Sequence, residues 1–291
     1  MITPATCPAC GSKDSISTGV ALIRYVRGNS IWSQCRKCRS FFYPVKYDRQ
    51  ADLLYTISAP YGLPESGREL NKFKRRMYRN VLALLLKYCA PPATLLDIGC
   101  AYGGFLLEAR EAGYAVFGSD IVPNAVQYVQ SFNIPAELSS CIGDVSLIKE
   151  GTLDILTCLD CNCYWYEQSL QIRQAFDKLK PGGYLAMRVV DKSWLFAIGL
   201  RIHGIDRRLA QLFMAQAVND HRFSMPIKSL LRLIKSNGFT IAHASTAGAR
   251  HSDNSRIVAK VAFGIGSLLW KTLRIPIGPG ALILARKPHV A

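Results

Sequence analysis

The rhythm of apolar and polar positions changes along the chain. Between 18 and 33 the residues Val20, Leu22, Tyr25 and Ile31 alternate in parts with polar neighbours, which predicts a short hairpin. A different rhythm begins at TLLDI (94–98), an apolar strand carrying Asp97. Residues 104–112 follow with helical spacing of Phe105, Leu106, Leu107 and Ala109. A second strand is predicted at 115–119, ending in Asp120, and another in TLDILTCLD (152–160), ending in Asp160. A helix is expected at 168–180, and KLKPGGYLAMRVV (178–190) turns through Pro-Gly-Gly into a further strand. Short strands alternating with helices predict a parallel sheet with helices on both faces.

The flanks read differently. SGRELNKFKRRMYRN (66–80) is the basic start of a helix that runs into the apolar VLALLLKYC. MPIKSLLRLIKSNGF (225–239) predicts one more helix, and ALILARKP (281–288) a last strand. RIVAKVAFGIGSLLWKTLRI (256–275) is amphipathic, with Arg256, Lys260, Lys271 and Arg274 flanking its apolar face. Such a helix can lie on an anionic membrane or pack on the sheet.

Composition narrows the class. The chain has 291 residues, 49% apolar and 19% charged, which excludes general disorder and leaves room for a large core. Its net charge of +16 favours an anionic partner, and the charge is uneven. Residues 1–50 carry 8 basic and 2 acidic groups, residues 101–190 carry 6 and 10, and residues 191–291 carry 15 and 4. An acidic middle therefore lies between basic flanks. MITPATCPAC lacks a basic stretch followed by an apolar one, and no run of 18 uncharged apolar residues occurs, so a cytoplasmic location is expected.

In that compartment the ten cysteines suggest reduced thiols or a metal site. Cys7 and Cys10 form one C-x2-C pair, and Cys35 and Cys38 form a second. Two such knuckles can place four thiolates around one structural zinc ion, with no open coordination position. A unit of about 45 residues has too little core of its own, and zinc can supply on the order of 10 kcal/mol of folding free energy. Cys158, Cys161 and Cys163 lack an accompanying glycine turn and read as buried thiols.

The turn after the first central strand carries the candidate chemistry. Gly99, Ala101, Gly103 and Gly104 would let a ligand approach the backbone closely. Asp120, ending the second strand, can bind both ribose hydroxyls. A dinucleotide site keeps the helix N-terminus open for pyrophosphate, and Asp97 two residues before Gly99 would repel it. A cationic cofactor without phosphate suits that carboxylate better, and S-adenosylmethionine is one.

LLDIGCAYGGFL, VFGSDIVPNAV, LDILTCLD and LKPGGYL together resemble the class I S-adenosylmethionine-dependent methyltransferases over roughly residues 75–291. With CPAC and CRKC in front, the chain is similar to bacterial members with an N-terminal zinc ribbon. The resemblance implies a doubly wound, seven-stranded, mainly parallel sheet with an antiparallel last strand. It assigns 1–48 to the ribbon, 49–90 to a helical linker and 91–291 to the methyltransferase domain, with an inserted substrate cover around 191–220.

The resemblance also implies site roles. Asp97 would position the methionine end of the cofactor, with backbone at Gly99, Ala101 and Gly103 against it. Ala101 stands where the family usually has glycine. Asp120 would bind the ribose, Ile121 would lie against the adenine, and Asp144 near its amino group. Asp160 would floor the methyl-transfer site. The family's usual histidine after this strand is replaced by Tyr164, at the acceptor site. His221 and Asp160 are then the candidate general bases, although an acceptor that is already nucleophilic needs none.

The acceptor class stays open at this point. A small molecule, a glycan or a lipid-linked intermediate, anionic in character, suits the apolar and basic insertion at 193–218. Peripheral contact with the inner membrane face fits the same charge. RNA is the alternative, weakened by the absence of an Asn/Asp-Pro-Pro-Tyr/Phe tetrapeptide after the 152–160 strand. A non-catalytic cofactor-binding protein is the remaining reading, motivated by Tyr164.

Overall fold

The computed structural model describes residues 6–21, 31–43, 72–218, 223–246, 268, 272 and 280–289. The 256–275 helix expected from the sequence lies outside them, apart from two residues, and so does His221. Near the N-terminus, β1 (Ser15–Ala21) and β2 (Ile31–Cys35) form the expected antiparallel hairpin, pairing Ser15 with Cys35 and Ala21 with Ile31. The two-residue β3 (Phe41–Phe42) adds to β2.

The central sheet contains β4 (Thr94–Ile98), β5 (Ala115–Asp120), β6 (Ala136–Leu138), β7 (Leu153–Leu159), β8 (Leu179–Val190), β10 (Thr240–Thr246) and β11 (Gly280–Arg286). Its order is β10-β11-β8-β7-β4-β5-β6. The pairs from β6 to β8 are parallel, while β11 runs antiparallel to both β8 and β10. This is the class I methyltransferase sheet. The Pro181-Gly182-Gly183 turn is absorbed as a bulge inside β8, where the register shifts between Leu153 and Ile155 of β7.

Alternation within each strand divides the core into two layers. Leu95, Ile155, Ala186 and Leu284 face one side, packed with Leu85 of α1 (Lys72–Tyr88), Phe105 and Leu106 of α2 (Gly104–Glu111) and Val129 of α3 (Pro123–Gln130). Leu96, Leu156, Leu185, Met187 and Ile283 face the other, with Ile172 of α4 (Gln168–Lys178).

From the end of β8 the chain enters α5 (Ser193–Ile202) and α6 (Arg207–Val218), a helical pair packed on each other. Gly199 makes their close contact, because a Cβ there would collide with Met214. After them comes β9 (Phe223–Ser224), then α7 (Ile227–Ser236), whose Ile227, Leu230 and Ile234 fill the second layer.

One pairing was not anticipated. Strand β9 joins the ribbon and not the central sheet, with Phe41 opposite Ser224 and Phe42 opposite Phe223. The cysteine unit is therefore joined to the catalytic domain by backbone pairing. Cys7, Ala9, Cys35 and Phe42 pack into the second core layer. The exposed basic start of α1 finds partners too: Arg75 and Arg79 lie 3.4 and 3.7 Å from the carboxylate of Glu108. No helix among the described residues is long and apolar enough to cross a membrane.

Candidate active site

The turn after β4 is built by conformation that most residues avoid. Gly99, Ala101 and Gly103 have φ of 70°, 48° and 74°. At Gly99 a Cβ would lie 2.7 Å from Cys161 Cβ, so glycine is required by space as well as by φ. At Gly103 it would lie 2.9 Å from Val129 Cγ2. Ala101 holds a left-handed conformation with a side chain, costing roughly 1–2 kcal/mol. Its amide donates to Asp120 Oδ2 at 2.8 Å, which fastens the turn to the end of β5. The amide of Val122 donates to Asp120 Oδ1 at 2.9 Å.

Among the described residues, no cation enters the hydrogen bonds of the two acids at the turn. Burial pushes the Asp97 carboxyl up to about 7, opposed by the 2.6 Å hydrogen bond from Thr157 Oγ1 and assisted by the nearby charge of Asp120. Asp120 is also raised by burial, with the amide hydrogen bonds working against it. Buried carboxylates without cationic partners make a site that gains when a positive ligand enters. Ile121 follows directly, half-buried. Asp144 is exposed on a short turn (Ile142–Asp144), held to α4 where the amide of Ile142 donates to Gln171 Oε1 at 3.0 Å.

Asp160 is placed differently. It sits at φ 63° beyond the end of β7, buried, in an ion pair with Arg188 of β8. Its amide donates to the Arg188 carbonyl at 2.7 Å. Arg188 was missed by sequence reasoning; the signal was a charge inside the apolar run LAMRVV. The next residue, Cys161, has its thiol 3.0 Å from the Ile98 carbonyl and 3.0 Å from Cys158 Sγ, against Gly99. Tyr164, half-buried, ends a short turn over Asn162–Tyr164. The structure thus brings Asp97, Gly99, Ala101, Gly103 and Asp120 to one turn. Asp160 stands at a neighbouring strand end, tied to Arg188.

A further buried acid was also missed. Asp191, just past β8, accepts from the Ser193 amide at 2.9 Å, from Ser193 Oγ at 2.6 Å and from the Ile227 amide at 3.1 Å. It caps α5 and α7 together. Burial pushes its carboxyl up to about 6. An Asp-x-Ser triplet before a helix was the available signal.

The four N-terminal cysteine sulfurs lie within 4.8 Å of one another. Each knuckle ends in a left-handed residue, Gly11 at φ 66° and Arg39 at φ 63°, whose amide donates to the first cysteine's carbonyl at 2.9 Å. The Cys38 amide donates to Cys35 Sγ at 3.5 Å. Hydrogen bonding with Cys7, with help from Ser40, holds Cys38 down at about 5 against its burial. A soft, compact, four-thiol set fits tetrahedral zinc.

The geometry is a left-handed glycine turn beside two buried carboxylates, with a separate four-cysteine cluster. The model of a methyltransferase domain matches residues 70–244, and the chain belongs to that family. It is 32% identical over 95 residues to a probable pectin methyltransferase of Arabidopsis thaliana, covering 31% of this chain and 14% of that protein. It is 27% identical over 109 residues to the ubiquinone biosynthesis O-methyltransferase of Xanthomonas campestris pv. campestris, covering 35% of this chain and 45% of that protein. The chain thus spans less than half the length of these curated relatives. Among solved structures, geranyl diphosphate C-methyltransferase of Streptomyces coelicolor, complexed with S-adenosyl-L-homocysteine, has a TM-score of 0.53 at 14% identity, covering 78% of this chain and 86% of that one.

Proposed function

We propose that the protein transfers a methyl group from S-adenosylmethionine to an anionic small-molecule, glycan or lipid-linked acceptor. The observation that carries this is the pair Asp97 and Asp120, buried at a left-handed turn with no cation in their hydrogen bonds among the described residues. The cofactor supplies an activated methyl on a sulfonium. Asp97 holds the ammonium of its methionine end and loses its proton in doing so. The remaining lone pairs of Asp120 accept from the ribose hydroxyls, while backbone at Gly99, Ala101 and Gly103 lies against the cofactor. Ile121 packs on the adenine, and Asp144 sits beside its amino group.

Beyond the cofactor, the ends of β7 and β8 form the acceptor side, as ligands bind at the carboxyl ends of parallel strands. The Asp160–Arg188 pair makes its floor, and α5 with α6 covers it. Alignment and exclusion of water are the protein's contribution to the displacement. Tyr164 lines the acceptor side. With Asp160 engaged by Arg188, His221 is the base for acceptors that need one. Cys7, Cys10, Cys35 and Cys38 hold a structural zinc ion.

The cover also supports an acceptor presented at a lipid surface. At its tip Ile205 is 89% exposed and Leu209 is 42% exposed, with Arg201, Arg207 and Arg208 exposed around them. An apolar point with three cations and one carboxylate, Asp206, around it is net positive and suits an anionic bilayer.

Calorimetry with S-adenosylmethionine tests the cofactor assignment, and unchanged affinity in Asp120→Ala sinks it. Incubating extract fractions with methyl-labelled cofactor tests the acceptor. Label in lipid or soluble anionic metabolites is expected, and label confined to RNA overturns the acceptor class.

A further inference from the structure

Besides the shared core layer, the ribbon's described hydrogen bonds, ring contacts and strand pairing to the rest of the chain fall on elements that follow β7 and β8. From one direction, the amide of Gln168 donates to the Pro8 carbonyl at 2.9 Å inside the first knuckle. The Gln168 side chain then donates to the carbonyls of Asn162, at 2.6 Å, and Trp165, at 3.1 Å. One residue thereby joins a metal knuckle to the loop after β7. From the other direction, the Phe41 ring stacks on Phe196 of α5 at 4.6 Å and 10°, and Trp32 meets the same ring at 4.9 Å. Trp32, Phe41, Phe196 and Met214 form a buried cluster of their own, shared by the ribbon and both cover helices.

Backbone pairing completes the connection. Strand β3 holds β9, and Ser224 of β9 accepts from the Lys192 amide at 3.1 Å at the root of α5. The cofactor turn is fastened separately, through Asp120 and the amides of Ala101 and Val122. The two ends of the site therefore rest mainly on different supports, meeting where Cys161 lies against Gly99.

We propose that the cysteine ribbon is a positioning part of the acceptor side: Trp32 and Phe41 hold the α5–α6 cover in place through Phe196, so that metal in the ribbon orders the cover and leaves the cofactor turn unchanged. The four cysteines bring β1, β2 and β3 to one sheet, and the aromatic face of that sheet exists only while the knuckles are closed. With the knuckles open, β9 loses its partner strand and Phe196 loses two of its ring neighbours. The cover is apolar on its inner face, so it then opens locally while the central sheet stays folded. This inference rests on the methyl-transfer reading only for the name of the covered side.

Hydrogen exchange read by mass spectrometry on the full chain tests it, before and after stripping with a zinc chelator, with metal content measured by elemental analysis. Stripping is expected to speed exchange in 193–218 at least tenfold, while 94–111 and the calorimetric affinity for S-adenosylmethionine stay within about twofold. Phe41→Leu is expected to keep one zinc per chain and still speed exchange in 193–218 several-fold. Phe196→Leu, which changes the other half of the stack and leaves the ribbon intact, gives the same comparison if Phe41→Leu does not fold. Cover exchange unchanged by both stripping and the ring substitution overturns the proposal. Equal acceleration of both segments overturns its selectivity, and a chain that takes up no zinc overturns the role of the metal. Failure of untreated protein to bind S-adenosylmethionine sinks the methyl-transfer reading instead, and leaves the exchange contrast to be judged separately.

Discussion

Asp120 and Asp160 stand at the ends of β5 and β7, on either side of β4, and are buried to nearly the same degree, at 8% and 7% exposure. Their surroundings differ in kind. Among the described residues Asp120 accepts from backbone amides, so dipoles compensate its negative charge. Asp160 faces the guanidinium of Arg188, a full opposite charge. One strand end thus keeps an anionic position open to a cation, and the other is neutralised within the protein. In the proposed function a cationic cofactor occupies the first. The second, in the same proposal, faces an anionic acceptor, which a lone carboxylate would repel.

The comparison breaks most sharply at Arg188. Arg188→Met leaves a buried carboxylate without its guanidinium, and a loss of about 3–5 kcal/mol is expected in urea denaturation. The double change Asp160→Asn, Arg188→Met removes both charges and should recover most of that loss, with Asn tolerating the left-handed φ at this position. A loss under about 1 kcal/mol from Arg188→Met would show that the pair is not holding the floor, and would free Asp160 for a role as base.

At the other strand end the effect belongs to binding. Asp120→Ala removes the acceptor of the Ala101 and Val122 amides and the partner of the ribose. An affinity loss of about 2–3 kcal/mol, some 30- to 150-fold in Kd, is expected by calorimetry. A stability change of the same size with no change in affinity would reduce Asp120 to a strut for the turn.

Asp97 sharpens the contrast through pH. With its carboxyl at about 7, it is largely protonated at pH 6 and largely ionised at pH 8. Only the ionised form pairs with an ammonium, so cofactor affinity should rise about tenfold from pH 6 to pH 8, equivalent to roughly 1.4 kcal/mol. The stability of the unliganded protein is expected to follow the opposite trend. A raised carboxyl binds more protons folded than unfolded, so this group's contribution to stability is present below about 4 and is lost as pH rises towards 7. Asp97→Asn should flatten both profiles. An affinity curve that stays sloped in the variant would assign the titration elsewhere.

The two strand ends also differed in how far the sequence disclosed them. The cofactor end is local: Asp97, Gly99, Ala101, Gly103 and Asp120 fall within 24 residues, and period-two alternation followed by a glycine turn places them. The acceptor end is assembled from afar. Asp160 meets Arg188 across 28 positions, and Phe41 meets Ser224 across more than 180. A two-residue strand such as β9 has no period to read, and its partner is chosen by packing and not by turn chemistry. The same spacing can also mislead: C-x2-C makes a knuckle at Cys35 and Cys38, where left-handed Arg39 follows. At Cys158 and Cys161 it spans the end of a strand, with the Cys161 thiol turned onto the Ile98 carbonyl.

The smallest expected effect tests whether the cofactor turn tolerates its one irregular residue. Ala101 carries a Cβ at φ 48°, where the resembling family has glycine. Glycine would relieve roughly 1 kcal/mol of strain in the folded chain and would return a similar amount of entropy to the unfolded one. The two nearly cancel, so Ala101→Gly should shift stability by less than about 1 kcal/mol in urea denaturation. The contact that matters is the Ala101 amide donating to Asp120, which glycine retains. Cofactor affinity should therefore stay within about threefold. A larger gain in affinity would mean that the Ala101 methyl obstructs the cofactor, and that the turn is held open by Asp120 at a distance glycine would shorten.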